Sequence, residues 1–256
     1  MLVRNLITGS TPAVLHRNGD SPEWQFLWGQ VVADFFSEPP RRSEACPELT
    51  VLTWTNRSAK TLLEQCLDRW GIQRLTLGRG LPEWRNDMKL FLNVEALDRI
   101  DSEYVMALDA DDVLMVADLH HILATFRAFG CDLVFNAEKN NYPQAPFLAA
   151  FEESIAESAY CHLNSGAWIG KTDRCRRFFR DCLHEDNGDI VAADTTAPVF
   201  RDDQGVARKV FQRYHPAVRL DYHCQIFQSL NRVATSGEVL IEHQTDTAAT
   251  VAADVG

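Results

Sequence analysis

The feature that most constrains the fold is a regular alternation of two kinds of segment between residues 49 and 138. Short runs rich in apolar and β-branched residues predict strands at 49–55, 72–78, 103–109 and 131–138. Between them, apolar residues recur at helical spacing, which predicts helices at 57–71, 88–100 and 116–130. Strands that alternate with helices form a mostly parallel sheet with helices on both faces. The sequence therefore predicts an α/β fold.

Length and charge are consistent with a globular domain and limit its partners. The chain has 256 residues, of which 46% are hydrophobic, so it can bury a sizeable core. Its formal net charge of −11 argues against nucleic acid as a partner, because phosphate binding needs clustered Lys and Arg. No apolar run approaches the ~18 residues that a membrane span requires. We therefore expect no nucleic-acid partner and no membrane span.

The cysteines indicate a reducing compartment. There are seven, an odd number, and no C-x-x-C occurs, so neither a disulfide framework nor a zinc ribbon is indicated. The first ten residues, MLVRNLITGS, lack the charged and long apolar regions of a signal peptide. We expect reduced, mostly buried thiols in a cytoplasmic protein.

Three carboxylates follow the strand predicted at 103–109. They are Asp109, Asp111 and Asp112 in EYVMALDADDVL. Ligands of parallel α/β sheets bind at the carboxyl ends of strands, and closely spaced carboxylates repel one another without a counter-charge. Mg²⁺ and Mn²⁺ prefer oxygen ligands and often bridge carboxylates to substrate phosphates. The cluster therefore predicts a divalent-metal site, with a solvated acidic turn as the plain alternative.

On local sequence alone, two chemistries fit this cluster. One is sugar transfer from a nucleotide-sugar, in which a metal neutralises the leaving diphosphate. The other is a phosphatase of the haloacid dehalogenase type, because residues 109–114 match D-x-D-x-[TV]-[LV], with Asp109 as nucleophile and Asp111 as general acid/base. A non-catalytic nucleotide-sugar binder is a further alternative.

Several ordered motifs across residues 49–240 resemble the glycosyltransferase domain of procollagen lysyl hydroxylases. A D-x-x-D turn in LDADDV is followed by an F-x-A-E strand and an aromatic-Pro pair in LVFNAEKNNYP. Later segments match L-N-S-G-x-x-I-G (YCHLNSGAWIGKTDRC), D-D-Q (FRDDQG) and L-D-x-x-x-x-I-F-Q-x-L-N (VRLDYHCQIFQSLN). The phosphatase hypothesis leaves these later segments unexplained and ranks a distant second.

The resemblance implies a GT-A fold, which is a Rossmann-like nucleotide-sugar-binding α/β domain. It also implies a UDP-sugar donor, UDP-glucose or UDP-galactose, and a metal ion, Mn²⁺ or Mg²⁺. The acceptor would be a hydroxyl on a glycan, a small molecule or a peptide, since no hydroxylase domain follows that would carry over the family's collagen acceptor.

The N-terminal stretch TPAVLHRNGDSP resembles the segment that closes the family's domain, P-x-V-V-H-G-N-G, whose histidine is a metal ligand. We interpret this as a circular permutation, which predicts that Gly256 lies near Met1. The single domain, 1–256, would comprise a closing segment at 1–35, a joint at 36–48 and the binding body at 49–243. His16 precedes an Asn-Gly turn and is favoured as the metal ligand over His243, whose flanks lack that turn.

The remaining site residues are assigned by the resemblance or, for Thr53 and Thr55, by their place at the end of a predicted strand. Asp109 and Asp112 match the family's metal carboxylates, while Asp111 replaces an aromatic residue and is expected to bind metal or ribose. The expected donor-binding residues are Thr53, Thr55, Trp84, Lys89, Asp111, Asn18, Gly19, Ser165, Gly166 and Tyr142. The expected catalytic residues, on the sugar and acceptor side, are Asp202, Asp203 and Asn164.

Overall fold

The computed structural model describes residues 1–193 and 201–242. Its strands are β1 (Leu2–Asn5), β2 (Val14–His16), β3 (Leu49–Trp54), β4 (Leu75–Leu77), β5 (Tyr104–Asp109), β6 (Val113–Met115), β7 (Leu133–Glu138), β8 (His162–Lys171), β9 (Val218–Leu220), β10 (Phe227–Ser229) and β11 (Val239–Glu242). Its helices are α1 (Pro22–Ser37), α2 (Leu62–Trp70), α3 (Met88–Leu97), α4 (Leu119–Ala128), α5 (Pro146–Ser154), α6 (Thr172–His184), α7 (Gly188–Ala193) and α8 (Asp203–Tyr214).

A six-stranded sheet forms the centre of the fold, with strand order β4-β3-β5-β8-β7-β9. All neighbouring pairs are parallel except the two that β8 makes, with β5 and with β7. The predicted α/β fold with a mostly parallel sheet is confirmed. Trp54 at the end of β3 lies beside Asp109 at the end of β5, so both strands deliver their last residues to one edge.

A smaller sheet, in the order β10-β2-β6, brings the start of the chain to that edge. Strand β2 is parallel to β10 and antiparallel to β6, and His16 lies opposite Val113. Because β6 begins directly after Asp112, this pairing places the imidazole beside the acidic turn.

A third sheet pairs β1 with β11, and Leu2 lies opposite Glu242. The predicted proximity of Gly256 to Met1 cannot be compared directly, since Gly256 lies outside the described residues. Glu242, the last described residue, is nevertheless adjacent to the second residue of the chain.

Local capping signals explain where two predicted helices begin. The Thr61 hydroxyl accepts from the Glu64 amide while the Glu64 carboxylate accepts from the Thr61 amide, so α2 begins after Thr61 rather than at 57. It ends at Gly71, whose φ of 69° is left-handed. The Asp118 carboxylate caps α4 by accepting from the His121 amide, which places the start of that helix at Leu119 rather than 116.

The core lies between the central sheet and the helices that cover it. Trp168 of β8 and Phe135 of β7 are buried against Phe178 and Phe179 of α6. Burying one such side chain contributes about 1.5–3 kcal/mol. The seven cysteines are free thiols and all but Cys161 are buried, as predicted. None of the helices in the described ranges is both long and apolar enough to cross a bilayer.

Candidate active site

Three side chains that are distant in sequence meet at the edge of the sheet. His16, Asp109 and Asp112 each direct one ligand atom to a common point, with these atoms within 4.8 Å of one another. His16 Nε2 lies 3.5 Å from Asp112 Oδ1 and 3.7 Å from Asp109 Oδ2. The imidazole is 1% exposed, and its Nε2 has no hydrogen-bond partner among the described residues. A buried nitrogen left open towards two carboxylates is a suitable donor set for a divalent ion.

The pKa values in the cluster are shifted because its charged side chains lie close to one another. Burial lowers the pKa of His16, but the carboxylates of Asp112 and Asp109 raise it by more, so the pKa is raised overall. Burial raises the pKa of Asp112, while His16 and Lys89 lower it by more, so that pKa is lowered. Without an ion, positive charge on His16 and Lys89 is what balances the carboxylates.

Neighbouring residues hold the imidazole in place. Asn136 of β7 approaches His16 Nδ1 with its amide nitrogen at 3.2 Å. Gly166 of β8 lies against the cluster, where a Cβ atom would overlap Asp109 Oδ2 and come within 2.5 Å of His16 Cε1. Only glycine leaves room for the cluster at this position.

Lys89 of α3 also contacts the cluster. Its ammonium lies 2.5 Å from Asp109 Oδ1 and 3.9 Å from Asp203 Oδ2, over the ring of Trp54. Burial lowers the pKa of Lys89, but Asp109 and Asp203 raise it by more, so the amine is held in its charged form. A fixed point charge of this kind suits an anionic ligand.

The two carboxylates at the start of α8 have different surroundings. Asp202 is the N-cap of the helix and accepts from the Gly205 amide at 2.6 Å. Burial and then the neighbouring Asp203 raise its pKa to about 7. Asp203 instead accepts from the Ser165 hydroxyl at 2.8 Å, and burial raises its pKa despite Lys89.

Most of the predicted site residues line one cleft of about 190 Å³ beside the cluster. The lining residues that were predicted are His16, Asn18, Gly19, Lys89, Asp109, Asp112, Tyr142, Asn164, Ser165, Gly166, Asp202 and Asp203. Asn86 and Gln204 line it as well and were not predicted.

Asp111 is not part of this cluster of ligand atoms, and its expected contact with metal or ribose stays a prediction. Its carboxylate is 47% exposed and lies 3.0 Å from Arg57, outside the cleft. Asp111 does not line the cleft that Asp109 lines, although the phosphatase hypothesis assigns both carboxylates to one site. His243, the alternative metal ligand, lies outside the described residues.

Thr53, Thr55 and Trp84 also lie outside the cleft lining. Thr53 is buried within β3, and the Thr55 hydroxyl accepts from the Arg57 amide at 3.1 Å. Trp84 is half-buried, and its indole nitrogen donates to Asn86, a lining residue, at 3.3 Å.

Glu138, the last residue of β7, is a buried site residue that the sequence analysis missed. Its carboxylate is 2% exposed and accepts from four amide groups, those of Asn18, Asn164, Gln204 and Asn231, at 2.9–3.0 Å. Burial raises its pKa although the amides of Asn164, Asn231 and Gln204 lower it. The available signal was a lone carboxylate after an apolar strand, the same position that drew attention to Asp109.

The fold and the residues at this edge of the central sheet define the class of protein. It is a Rossmann-like glycosyltransferase domain of the GT-A type. A model of the family described as the PLOD GT domain matches residues 50–255, and the chain belongs to this family. The resemblance inferred from the ordered motifs is thus confirmed. His16 precedes the matched range, whereas Asp109 and Asp112 fall within it.

The chain is also similar in sequence to a curated protein. Procollagen-lysine,2-oxoglutarate 5-dioxygenase of Drosophila melanogaster is 28% identical over 177 residues. The match covers 63% of this chain and 22% of the relative, so the chain spans well under two thirds of that protein's length.

Proposed function

We propose that this protein is a metal-dependent hexosyltransferase that moves a hexose from UDP-glucose or UDP-galactose to a hydroxyl acceptor. The observation that carries the proposal is the unpartnered Nε2 of buried His16, which faces Asp109 and Asp112 at the sheet edge of a PLOD GT domain. The ligand set is suited to Mn²⁺ or Mg²⁺.

His16, Asp109 and Asp112 would hold the ion, which when bound neutralises the leaving diphosphate. Lys89 adds a second positive charge, 2.5 Å from Asp109 Oδ1, where it would contact the same phosphates. Thr53 and Thr55, at the end of β3, and Trp84, in the loop before α3, are assigned to the nucleoside.

Transfer replaces one carbon–oxygen bond by another. The acceptor oxygen bonds to the anomeric carbon while the bond from that carbon to the diphosphate oxygen breaks, and UDP leaves. The hydroxyl proton passes to Asp203, whose raised pKa suits a general base. Asp202 is committed to capping α8, so we assign it a positioning role.

We also propose that the chain is one circularly permuted domain, with residues 1–35 supplying the closing segment and its histidine. The insertion of β2 between β10 and β6 supports this, because it gives the early segment a place inside the site. The free, mostly buried cysteines support a cytoplasmic location.

Titration of UDP by calorimetry, with Mn²⁺ or with EDTA, tests the proposal. We expect UDP to bind wild type only with Mn²⁺, His16→Ala to abolish binding, and the exposed control His121→Ala to bind normally. Loss of binding in His243→Ala instead would contradict the assignment of His16.

Two further assays separate the alternative functions. Mn²⁺-dependent hydrolysis of UDP-glucose is expected of the enzyme, whereas a non-catalytic binder would bind UDP without hydrolysing the donor. Release of phosphate from p-nitrophenyl phosphate, without UDP binding, would overturn the proposal in favour of a phosphatase.

A further inference from the structure

A second, larger cleft opens directly beside the proposed donor site. It has a volume of about 750 Å³ and shares Asn18, Gly19, Tyr142, Asn164 and Gln204 with the smaller cleft. The two volumes therefore meet at a common wall. A molecule in the larger cleft can present one group to a sugar held beside the metal ligands.

Carboxamides dominate the polar lining of this cleft. They belong to Asn18, Asn140, Asn164, Gln204 and Asn231. All but Asn140 donate to Glu138, which fixes their orientation. An amide nitrogen carries two hydrogens, and only one is used in this way at Asn18, Asn164 and Asn231. Fixed amides with unused capacity can bind a ligand without first being ordered.

The charges that line the cleft do not favour an ionic ligand. Asp20 and Arg232 are exposed, opposite in sign and both on its lining, while Glu138 is buried with its oxygens occupied by amide donors. Carboxamides both donate and accept, which matches a hydroxyl group, itself both donor and acceptor. Tyr142 stands at the junction, 36% exposed, where its ring can cover the apolar face of a sugar.

We propose that this cleft binds the acceptor and that the acceptor is a neutral saccharide. The proposal rests on the proposed function and adds the substrate class to it. A cationic hydroxylysine side chain or an acidic glycan would meet amides there instead of a fixed counter-charge.

Binding to an array tests the substrate class. The full chain with Mn²⁺ and UDP is applied to lactose, maltose, cellobiose and N-acetyllactosamine, to sialyllactose, and to hydroxylysine-containing Gly-X-Y peptides. We expect retention on neutral saccharides. Stronger retention on sialyllactose or on the peptides, or no retention while UDP binds normally, would overturn the proposal.

A matched pair of variants tests the location. Asn140→Ala removes a lining amide that makes no side-chain hydrogen bond within the described ranges, so the fold should be unaffected. We expect about tenfold weaker saccharide binding, the effect of one lost hydrogen bond to a ligand. Gln73→Ala removes an exposed amide from a separate cleft and should change nothing.

Titration of UDP on the same variants distinguishes the proposal for the acceptor cleft from the proposed function. Unchanged Mn²⁺-dependent UDP binding in Asn140→Ala, together with weaker saccharide binding, supports the acceptor cleft. Equal saccharide binding by Asn140→Ala and wild type overturns it. Failure of wild type to bind UDP with Mn²⁺ refutes the proposed function itself.

Discussion

At the scale of single residues, Gly166 shows how tightly the metal ligands are enclosed. Its backbone does not need the conformational freedom of glycine, since its φ is not in the left-handed region. It needs the missing side chain, because a Cβ would overlap Asp109 Oδ2 and approach His16 Cε1 to 2.5 Å. The strand backbone thus forms one wall of the ligand cluster.

We therefore expect Gly166→Ala to weaken Mn²⁺ binding by roughly five- to 150-fold, because relieving the overlap must displace a ligand and such overpacking costs about 1–3 kcal/mol. Calorimetric titration of Mn²⁺ measures this. The control is Gly29→Ala in α1, where a Cβ meets nothing within 4 Å. Wild-type affinity in Gly166→Ala would show that the cluster is not the metal site.

The same scale explains why the sequence indicated neither the role of Glu138 nor the direction of the Asp111 side chain. The amides around Glu138 come from four separate segments, so nothing local marks them as its partners. Asp111 shares its motif with Asp109 and Asp112 but is directed to Arg57. A short acidic motif identifies the turn, whereas the direction of each carboxylate depends on the packed structure.

At the scale of elements, a buried ionic network joins β8, α5 and α8. Glu152 of α5 accepts from the Arg208 guanidinium of α8 at 2.5 and 2.9 Å, and its carboxylate lies 2.9 Å from His162 Nδ1 of β8. Arg208 also donates to the Pro143 carbonyl and to Asn141. The network therefore holds the loop that carries Tyr142.

This network predicts a pH dependence of stability. Burial lowers the pKa of His162, but Cys161 and Glu152 raise it by more, from 6.5 to about 9. The protonated imidazole is thus favoured in the folded state, so its contribution is complete below pH 6.5 and is lost as pH rises through 9. The difference corresponds to at most about 3 kcal/mol of unfolding free energy.

Urea denaturation of wild type and His162→Gln at pH 6 and pH 9 measures this contribution. Wild type should lose more stability over this interval than the variant, which has no imidazole to deprotonate. Parallel losses in both proteins would mean that other groups, such as the cysteines, cause the pH dependence.

The sequence predicted those strands and helix starts that local residue patterns encode. The strands β3, β5 and β7 follow from apolar spacing, and each lies within two residues of its expected bounds. The capping box of α2 is visible in the sequence as Thr61-x-x-Glu64. The insertion of β2 between β10 and β6 joins segments about 100 and 210 residues apart, and no local pattern reports such a pairing.

At the scale of the whole molecule, the ordered motifs identified the family because they span most of the chain. The match over residues 50–255 leaves out the segment that contains β1, β2 and α1. That segment is nevertheless integrated into the fold. Strand β1 pairs with β11, and the indole of Trp24 in α1 donates to the Val233 carbonyl at 2.8 Å.

This arrangement makes the proposed permutation testable by reordering the chain. Joining Gly256 to Met1 and opening the chain between Pro39 and Pro40 would restore the order inferred for the family. Both prolines are exposed and lie outside helices and strands, so few contacts are cut. Leu2 and Glu242 are paired, and the 14 residues after Glu242 are long enough to connect them.

We expect the reordered chain to fold and to bind UDP with Mn²⁺ within about threefold of wild type, because the ligand cluster and its strands are kept. Its main loss is the pairing of the Met1 ammonium with Glu38, which the new peptide bond removes. Circular dichroism measures folding, and UDP titration measures binding.

The control is a chain opened between Ala110 and Asp111, inside the turn that carries the proposed metal ligands. This control should lose Mn²⁺-dependent binding. If the reordered chain folds but binds no UDP, residues 1–35 do not act as the closing segment of the family's domain. That result would refute the permutation.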